Sequence, residues 1–201
     1  MLLLSSKTSP FARKVRVAAR VCGLGGAITE RAVNPYDPDS EVPQYNPLGL
    51  IPTLVRDDGE VLYESNLICA YLDSLHDGEP LIPAAGEARW RVLKLEALAD
   101  GMMTAAVDSV VENKRRPAEL YWAEGDARLR AKVTRALDAL EAEPRRLDGD
   151  ANLGRIAVAC ALGYLDLRLP SLAWREGRPS LAAWFETFAD APAMRATDPG
   201  A

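Results

Sequence analysis

The spacing of apolar residues changes character once along this chain. Up to residue 76, short apolar runs alternate with one-sided helical stripes, and beyond residue 86 the pattern is helical only. Leu2 to Leu4 predict a fully buried strand. After the polar loop Ser5-Ser6-Lys7-Thr8, Ser9 before Pro10 predicts a helix start, because serine caps and proline is preorganised for the first helical position. Phe11, Val15, Ala18 and Cys22 recur at helical spacing, with Arg13, Arg16 and Arg20 on another side, and Gly23, Gly25 and Gly26 end the stripe. Ala27 to Val33 reads as a second strand and the proline-rich stretch Pro35 to Pro47 as irregular chain. Thr53 to Arg56 and Glu60 to Tyr63 flank Asp57-Asp58-Gly59 as a hairpin, with Pro52 at its entrance. Ser65 is then expected to cap a helix running to Leu75 through Leu67, Ile68, Tyr71 and Leu72.

Asp77 to Gly86, with Pro80, Pro83 and two glycines, reads as a linker. From Glu87, Val92, Leu95, Ala99, Met103, Ala106 and Val110 step by three or four, and Trp90, Leu93 and Ala97 form a second apolar face. A helix apolar on two sides suggests a homodimer. Leu129, Val133, Leu137 and Leu140 mark a further amphipathic helix. Leu153 to Leu169, with only three charges, is expected as the central buried helix, and Leu181, Trp184, Phe185 and Phe188 mark the last good one. Asp190 to Ala201 is expected as a proline-containing tail that packs, if at all, against the surface. The expected architecture is thus an α/β unit of βαβ–ββα order over residues 1–76, a linker at 77–86, and an all-helical unit over 87–201.

Composition narrows the function. Twenty-four basic against 29 acidic side chains give a net charge of -5, which argues against a nucleic-acid protein. Three scattered cysteines and one histidine suit neither a disulfide framework nor a metal cluster, and no apolar run has membrane-spanning length. Before the first acidic residue, Glu30, stand Lys7, Arg13, Lys14, Arg16 and Arg20 with several serines, a composition that imitates a transit peptide. The expected sheet needs Leu2 to Leu4, so the segment is read as the start of the fold and the protein as cytoplasmic.

Ile51-Pro52-Thr53-Leu54, a hairpin, then Glu64-Ser65, together with Thr8-Ser9-Pro10-Phe11-Ala12-Arg13-Lys14 and Ala99-Asp100-Gly101, resemble bacterial members of the glutathione S-transferase superfamily over the whole chain. The resemblance implies a thioredoxin-like first domain binding glutathione as co-substrate, without a metal. It implies a cis Pro52 that lets Ile51 pair by backbone with the cysteinyl unit, against the simpler reading that Pro52 only opens an edge strand. Glu64 and Ser65 would take the γ-glutamyl end. Ser9 would donate to the thiolate at a helix N-terminus, or serve only as an N-cap; with no thiol between Ser9 and Ala12, a dithiol cycle is excluded there. Asp100, on a stripe with Glu96 and Asp108, would reach the partner subunit's glutathione or simply face solvent. A small hydrophobic electrophile would lie near Lys7, Thr8, Met102, Met103 and the Arg115-Arg116-Pro117 segment. Leu50 stands where many relatives carry a lysine for the glycyl carboxylate, and Arg155 where the family's capping box has an aspartate. The expected activity is conjugation, reduction or isomerisation by the glutathione thiolate; the alternative is a non-catalytic binding or regulatory module of the same fold.

Overall fold

In the computed structural model, which describes residues 1–200, a four-stranded sheet of order β2-β1-β3-β4 carries the first third of the chain. Strands β1 (Leu2–Ser5) and β2 (Thr29–Ala32) are parallel and joined through helix α1 (Pro10–Val21). β3 (Thr53–Val55) runs antiparallel to both β1 and β4 (Val61–Tyr63). Leu3 pairs with Leu54, and both side chains are fully buried. α1 ends where Gly23, at φ +72°, turns the chain out and the Leu24 N–H closes on the Ala19 carbonyl at 2.7 Å. The short helix α2 (Val42–Tyr45) occupies part of the stretch expected to be irregular, with its buried Val42 as anchor. Helix α3 (Ser65–Asp73) buries Ile68, Cys69 and Leu72 and packs beside α1.

The remaining helices are α4 (Gly86–Lys114), α5 (Ala123–Ala142), α6 (Leu153–Arg168), α7 (Pro179–Ala189) and α8 (Pro192–Arg195). α6 is the central buried helix that its composition predicted, with Ile156 to Leu162 all buried. Gly154 lets it approach α4 closely, since a Cβ there would lie 2.8 Å from the Val92 carbonyl oxygen. Asn152 caps it by accepting the Arg155 N–H at 3.0 Å. The Arg155 guanidinium, unfavourable at a helix N-terminus, folds back to donate to the Asp148 and Asp150 carbonyls. α5 is clasped to α4 by Asp126, whose carboxylate accepts from Ser109 on α4, from Tyr121 at 3.0 Å and from Arg130 at 2.8 Å.

Of the basic side of α1, Arg13 and Arg16 are buried together with Lys14, and only Arg20 is exposed. The C-terminal segment, expected at most to pack against the surface, goes deeper: it forms α8, buries Met194, and the Met194 carbonyl accepts from the Arg13 guanidinium at 3.1 Å. Arg13 and Lys14 find oxygen partners on segments far away in sequence, which spacing along α1 does not reveal. No helix among the described residues is long and apolar enough to cross a membrane.

Candidate functional site

The strand register gathers the candidate residues at one end of the sheet. Leu4 pairs with Thr53 and Thr53 with Tyr63. One step further, Ile51-Pro52 therefore lies between the exit of β1, which leads to Ser9, and the exit of β4, which leads to Glu64 and Ser65. Both α1 and α3 begin at this end, so two helix N-termini bring their partial positive charge to it, a favourable setting for an anionic ligand.

Ser9 accepts the Ala12 N–H on its side-chain oxygen at 3.2 Å, in extended conformation, and so caps α1. The Ile51–Pro52 bond is cis, and among the described residues no hydrogen bond engages the Ile51 backbone. Asn46 builds the turn around it. Its buried amide donates to the Leu50 carbonyl at 2.9 Å and to the Thr53 hydroxyl at 3.2 Å, while Thr53 donates to the same carbonyl at 2.8 Å. Asn46 had no assigned role from sequence; its position in Asn-Pro ahead of the Ile-Pro pair is the signal that a turn is clamped there. Leu50 is itself exposed.

The start of α3 differs from expectation. Glu64, not Ser65, is the N-cap residue, and it makes no side-chain cap bond. Its φ of +71° is one that a residue with a Cβ rarely adopts, and the helix begins with Ser65 already inside it. The Glu64 side chain is exposed, whereas Ser65 is buried and its hydroxyl has no partner among the described residues.

Asp100 and Glu96 do not form a solvated stripe. Lys14, fully buried, donates to Asp100 at 2.8 Å and to Glu96 at 3.0 Å, which ties α1 to α4. Burial works against the Lys14 ammonium, but the neighbouring acids, led by Asp100, outweigh it and hold its pKa above the ordinary value. Glu96 is pushed up, first by burial and also by Asp100, with Lys14 opposing. Asp108 is exposed. Met102 and Met103, expected beside the acceptor, are buried in the helical core at 1 % and 0 % exposure; their helical spacing signalled packing. Lys7 is exposed and Thr8 half-buried in the β1–α1 loop, which buried Arg16 steadies by donating to the Lys7 carbonyl at 3.0 Å.

Burial pushes the Cys22 and Cys160 thiols up to about 11 and Cys69 further still, so none of the three resembles a thiolate nucleophile. Cys22, Asp73 and His76 bring ligand-type atoms within 4.8 Å of one another at the opposite end of α1. There the Asp73 carboxylate accepts the Leu81 and Ile82 N–H groups at 2.6 and 3.0 Å, and Gly78 N–H donates to His76 Nδ1 at 3.0 Å. With Nδ1 accepting, the His76 Nε2 hydrogen faces Asp73 at 3.3 Å, so the cluster locks the linker onto α3. An apolar cavity of about 430 Å³ between α1, α7 and α8 also lies towards this far end, lined by Val17, Val21, Trp184 and Phe188.

At the mouth beside Ser9, Val33 N–H bonds the Ser5 carbonyl at 2.9 Å and brings the loop after β2, with Tyr36, next to the β1–α1 loop. The Arg115 guanidinium, at the end of α4, lies 3.7 Å from the Tyr36 ring centre. α6 enters from the other side: a Cβ at Gly163 would lie 2.6 Å from Arg13 Nη1 in the first turn of α1. Tyr164 follows, its hydroxyl pushed up to about 12 by burial, with Arg168 opposing and Tyr36 adding to the shift.

Comparison with known proteins agrees with this geometry. Residues 8–75 match the N-terminal domain of glutathione S-transferases and residues 122–187 their C-terminal domain. The chain is 37% identical to the uncharacterized GST-like protein YibF of Escherichia coli K12 over 99% of its own length and 98% of that protein's. A glutathione transferase family member from Pseudomonas fluorescens Pf-5 has been solved with bound glutathione, at 45% identity, TM-score 0.95 and 98% coverage of both chains. Its complex with S-(propanoic acid)-glutathione matches at 44% identity, TM-score 0.92 and 99% coverage of both. With both domains matched, near-complete coverage and the same fold, the chain belongs to the glutathione S-transferase family.

Proposed function

We propose that this protein is a glutathione transferase that presents the glutathione thiolate to a small hydrophobic electrophile. The observation that carries the reading is the Ile51 backbone, without a hydrogen bond among the described residues and held between the N-termini of α1 and α3. An extended tripeptide pairs with such a segment as an added strand. Residues 1–76 form the glutathione-binding domain and 87–201 the helical one. Ser9 donates to the thiolate, Ile51 and Pro52 hold the cysteinyl unit, and Glu64 takes the γ-glutamyl ammonium. The unpartnered Ser65 hydroxyl and the α3 N-terminus take the γ-glutamyl carboxylate. Lys7 and Thr8 border the electrophile. Glutathione and S-(propanoic acid)-glutathione bound in the Pseudomonas relative support both halves of this site.

The protein acts as a two-fold dimer, a reading supported by the exposed Trp90 and Leu67 on α4 and α3. Asp100 reaches the ammonium of the partner's glutathione, helped by the excess negative charge of its cluster, two carboxylates against one Lys14 ammonium. Light scattering is expected to give about twice the 21.8 kDa chain mass; a monomer removes the role given to Asp100.

Retention on immobilised glutathione, followed by a thiol-conjugation assay against a panel of electrophiles, tests the function. Retention and turnover are expected. Failure to bind glutathione refutes the proposal, and binding without turnover on any electrophile favours the non-catalytic module.

A further inference from the structure

Resting on the transferase reading, we propose that Arg16 is a positioning residue for the reaction: by gripping the Lys7 carbonyl it holds the turn that delivers Ser9 to the thiolate. β1 ends at Ser5, and the chain from Ser6 to Ser9 leads into α1. This turn is closed by one long bond, from the Ser9 N–H to the Ser6 carbonyl at 3.3 Å. On its helical side Ser9 is well fixed. Its carbonyl accepts the Arg13 N–H at 2.9 Å, and its side-chain oxygen accepts the Ala12 N–H at 3.2 Å. On the strand side the support comes from α1 itself. Arg16 reaches back along the helix and donates from Nη2 to the Lys7 carbonyl at 3.0 Å. Turn and helix are thereby joined into one body, with Ser9 at the junction.

The three buried cations of α1 have different partners. Lys14 binds Glu96 and Asp100 on α4, and Arg13 binds the Met194 carbonyl at 3.1 Å, with Asp198 at 3.8 Å. Of the three, Arg16 is the one that holds the segment leading to Ser9. For stability alone it is a poor choice. Its side chain is 8% exposed, and burial presses its pKa below the ordinary value, with Glu30 opposing. That carboxylate, on β2, stands 3.7 Å from Nη1, beyond hydrogen-bond reach, and also accepts the Ser5 hydroxyl at 3.3 Å. An apolar side chain of similar volume would avoid the cost of desolvating the guanidinium. It would not link the end of β1, through Glu30 and the guanidinium, to the Lys7 carbonyl. The planar guanidinium suits this task, because it presents two nitrogens in fixed geometry to two groups at once.

The grip bears on chemistry because a hydroxyl stabilises a thiolate only at hydrogen-bonding distance and angle. A shift of about 1 Å in a positioned group can cost as much as about 10²-fold in rate. Arg16 is assigned no contact with the sulfur; it acts through the turn and Ser9.

The test uses Arg16→Met, which keeps most of the volume, and Glu30→Ala at an exposed position, which serves also if the first variant fails to fold. Arg16→Met is expected to raise the pKa of the bound glutathione thiol, read by its ultraviolet absorbance. Turnover should fall by about tenfold to a hundredfold, with glutathione affinity little changed where the thiol stays protonated. Glu30→Ala should raise the same pKa by a smaller amount. Added to Ser9→Ala, Arg16→Met should cost less than about twofold more in turnover and leave the titration unmoved, because the group it positions is gone. A merely structural Arg16 gives a lower melting temperature, an unshifted titration and the same loss in both backgrounds, and that result overturns the proposal. A lower thiol pKa in Glu30→Ala also overturns it, since Arg16 would then act by its charge, which Glu30 partly cancels. If the wild type binds glutathione but turns over no electrophile, the titrations still decide for or against Arg16. A wild type that does not bind glutathione overturns the transferase reading and this proposal together.

Discussion

The Ser9 oxygen accepts the Ala12 N–H through one lone pair, which leaves its own hydrogen for a second partner. Capping and thiolate donation are therefore compatible in one residue, and Ser9→Ala separates them. If the hydroxyl donates to the bound thiolate, its removal raises the thiol's pKa, because the charged form loses a donor. Turnover should fall by about 10²–10³, as for loss of one preorganised donor. Ultraviolet titration of the bound thiolate reads the shift; titrations that coincide while the melting temperature drops would leave Ser9 with the cap alone. Glu64 offers a complementary case. At φ +71° it occupies backbone space open to glycine, so Glu64→Gly should raise stability by up to ~1 kcal/mol while weakening glutathione binding by about tenfold through loss of the carboxylate. Thermal melts and calorimetric titration check the two effects, and a variant that is more stable yet binds as before rules out a role in holding the ligand. Both residues were legible as site candidates from their motifs. The strain at Glu64 was not, because φ is set by the junction of β4 with α3.

At the scale of elements, the Asp126 clasp between α4 and α5 has a pH signature. Burial alone would raise this carboxyl, but hydrogen bonds from Ser109 and Asn113, with Arg130 and Tyr121, overcome it and hold the pKa at about 2, below the ordinary 3.8. A depressed carboxyl contributes its stability in full above its unfolded pKa and loses it as pH falls through the folded one. The contribution, on the order of 2 kcal/mol, should therefore disappear between about pH 4 and pH 2. Asp126→Asn should cost a similar amount at pH 7 and flatten that stretch of the stability profile in urea unfolding; an unchanged acid limb would assign it to other carboxylates. The sequence predicts the α5 stripe from Leu129 to Leu140 but not this clasp. Ser109 and Asp126 lie 17 residues apart, and only the turn between the helices brings them together.

For the whole molecule, Lys14 is the most consequential buried charge, joining α1 of the sheet-bearing part to α4 of the helical part. Lys14→Met leaves Glu96 and Asp100 without their cation in a site where burial already raises Glu96. The expected loss is ~3–5 kcal/mol at pH 7. A carboxyl with a raised folded pKa penalises the folded state above that pKa, so part of the loss should return as pH is lowered towards 5. Circular-dichroism melts at pH 7 and 5 decide it. An equal loss at both values would mean that the stem of Lys14, not its charge, matters. From sequence, Glu96 and Asp100 stood between a solvated face and a cross-subunit site. Their spacing holds no record of a lysine more than 80 residues earlier.

Local patterns were sufficient for the strands and the long helices, though not for the short helices α2 and α8, and short motifs carried the family resemblance. Apolar spacing marked the strands and long helices, Ser9-Pro10 marked the first helix start, and the Ile-Pro and Glu-Ser pairs marked where a tripeptide would lie, because each of these signals is confined to a few neighbouring residues. Tertiary structure decided what depends on groups distant in sequence. It moved Arg13, Arg16 and Met102–Met103 into the interior, made Glu64 the residue before α3, gave Asn46 its clamp, and laid Arg115 over Tyr36. A side chain's charge is written in the sequence. Whether that charge faces water, a buried partner or a ligand depends on which distant segment packs against it, and the chain fixes that only by folding.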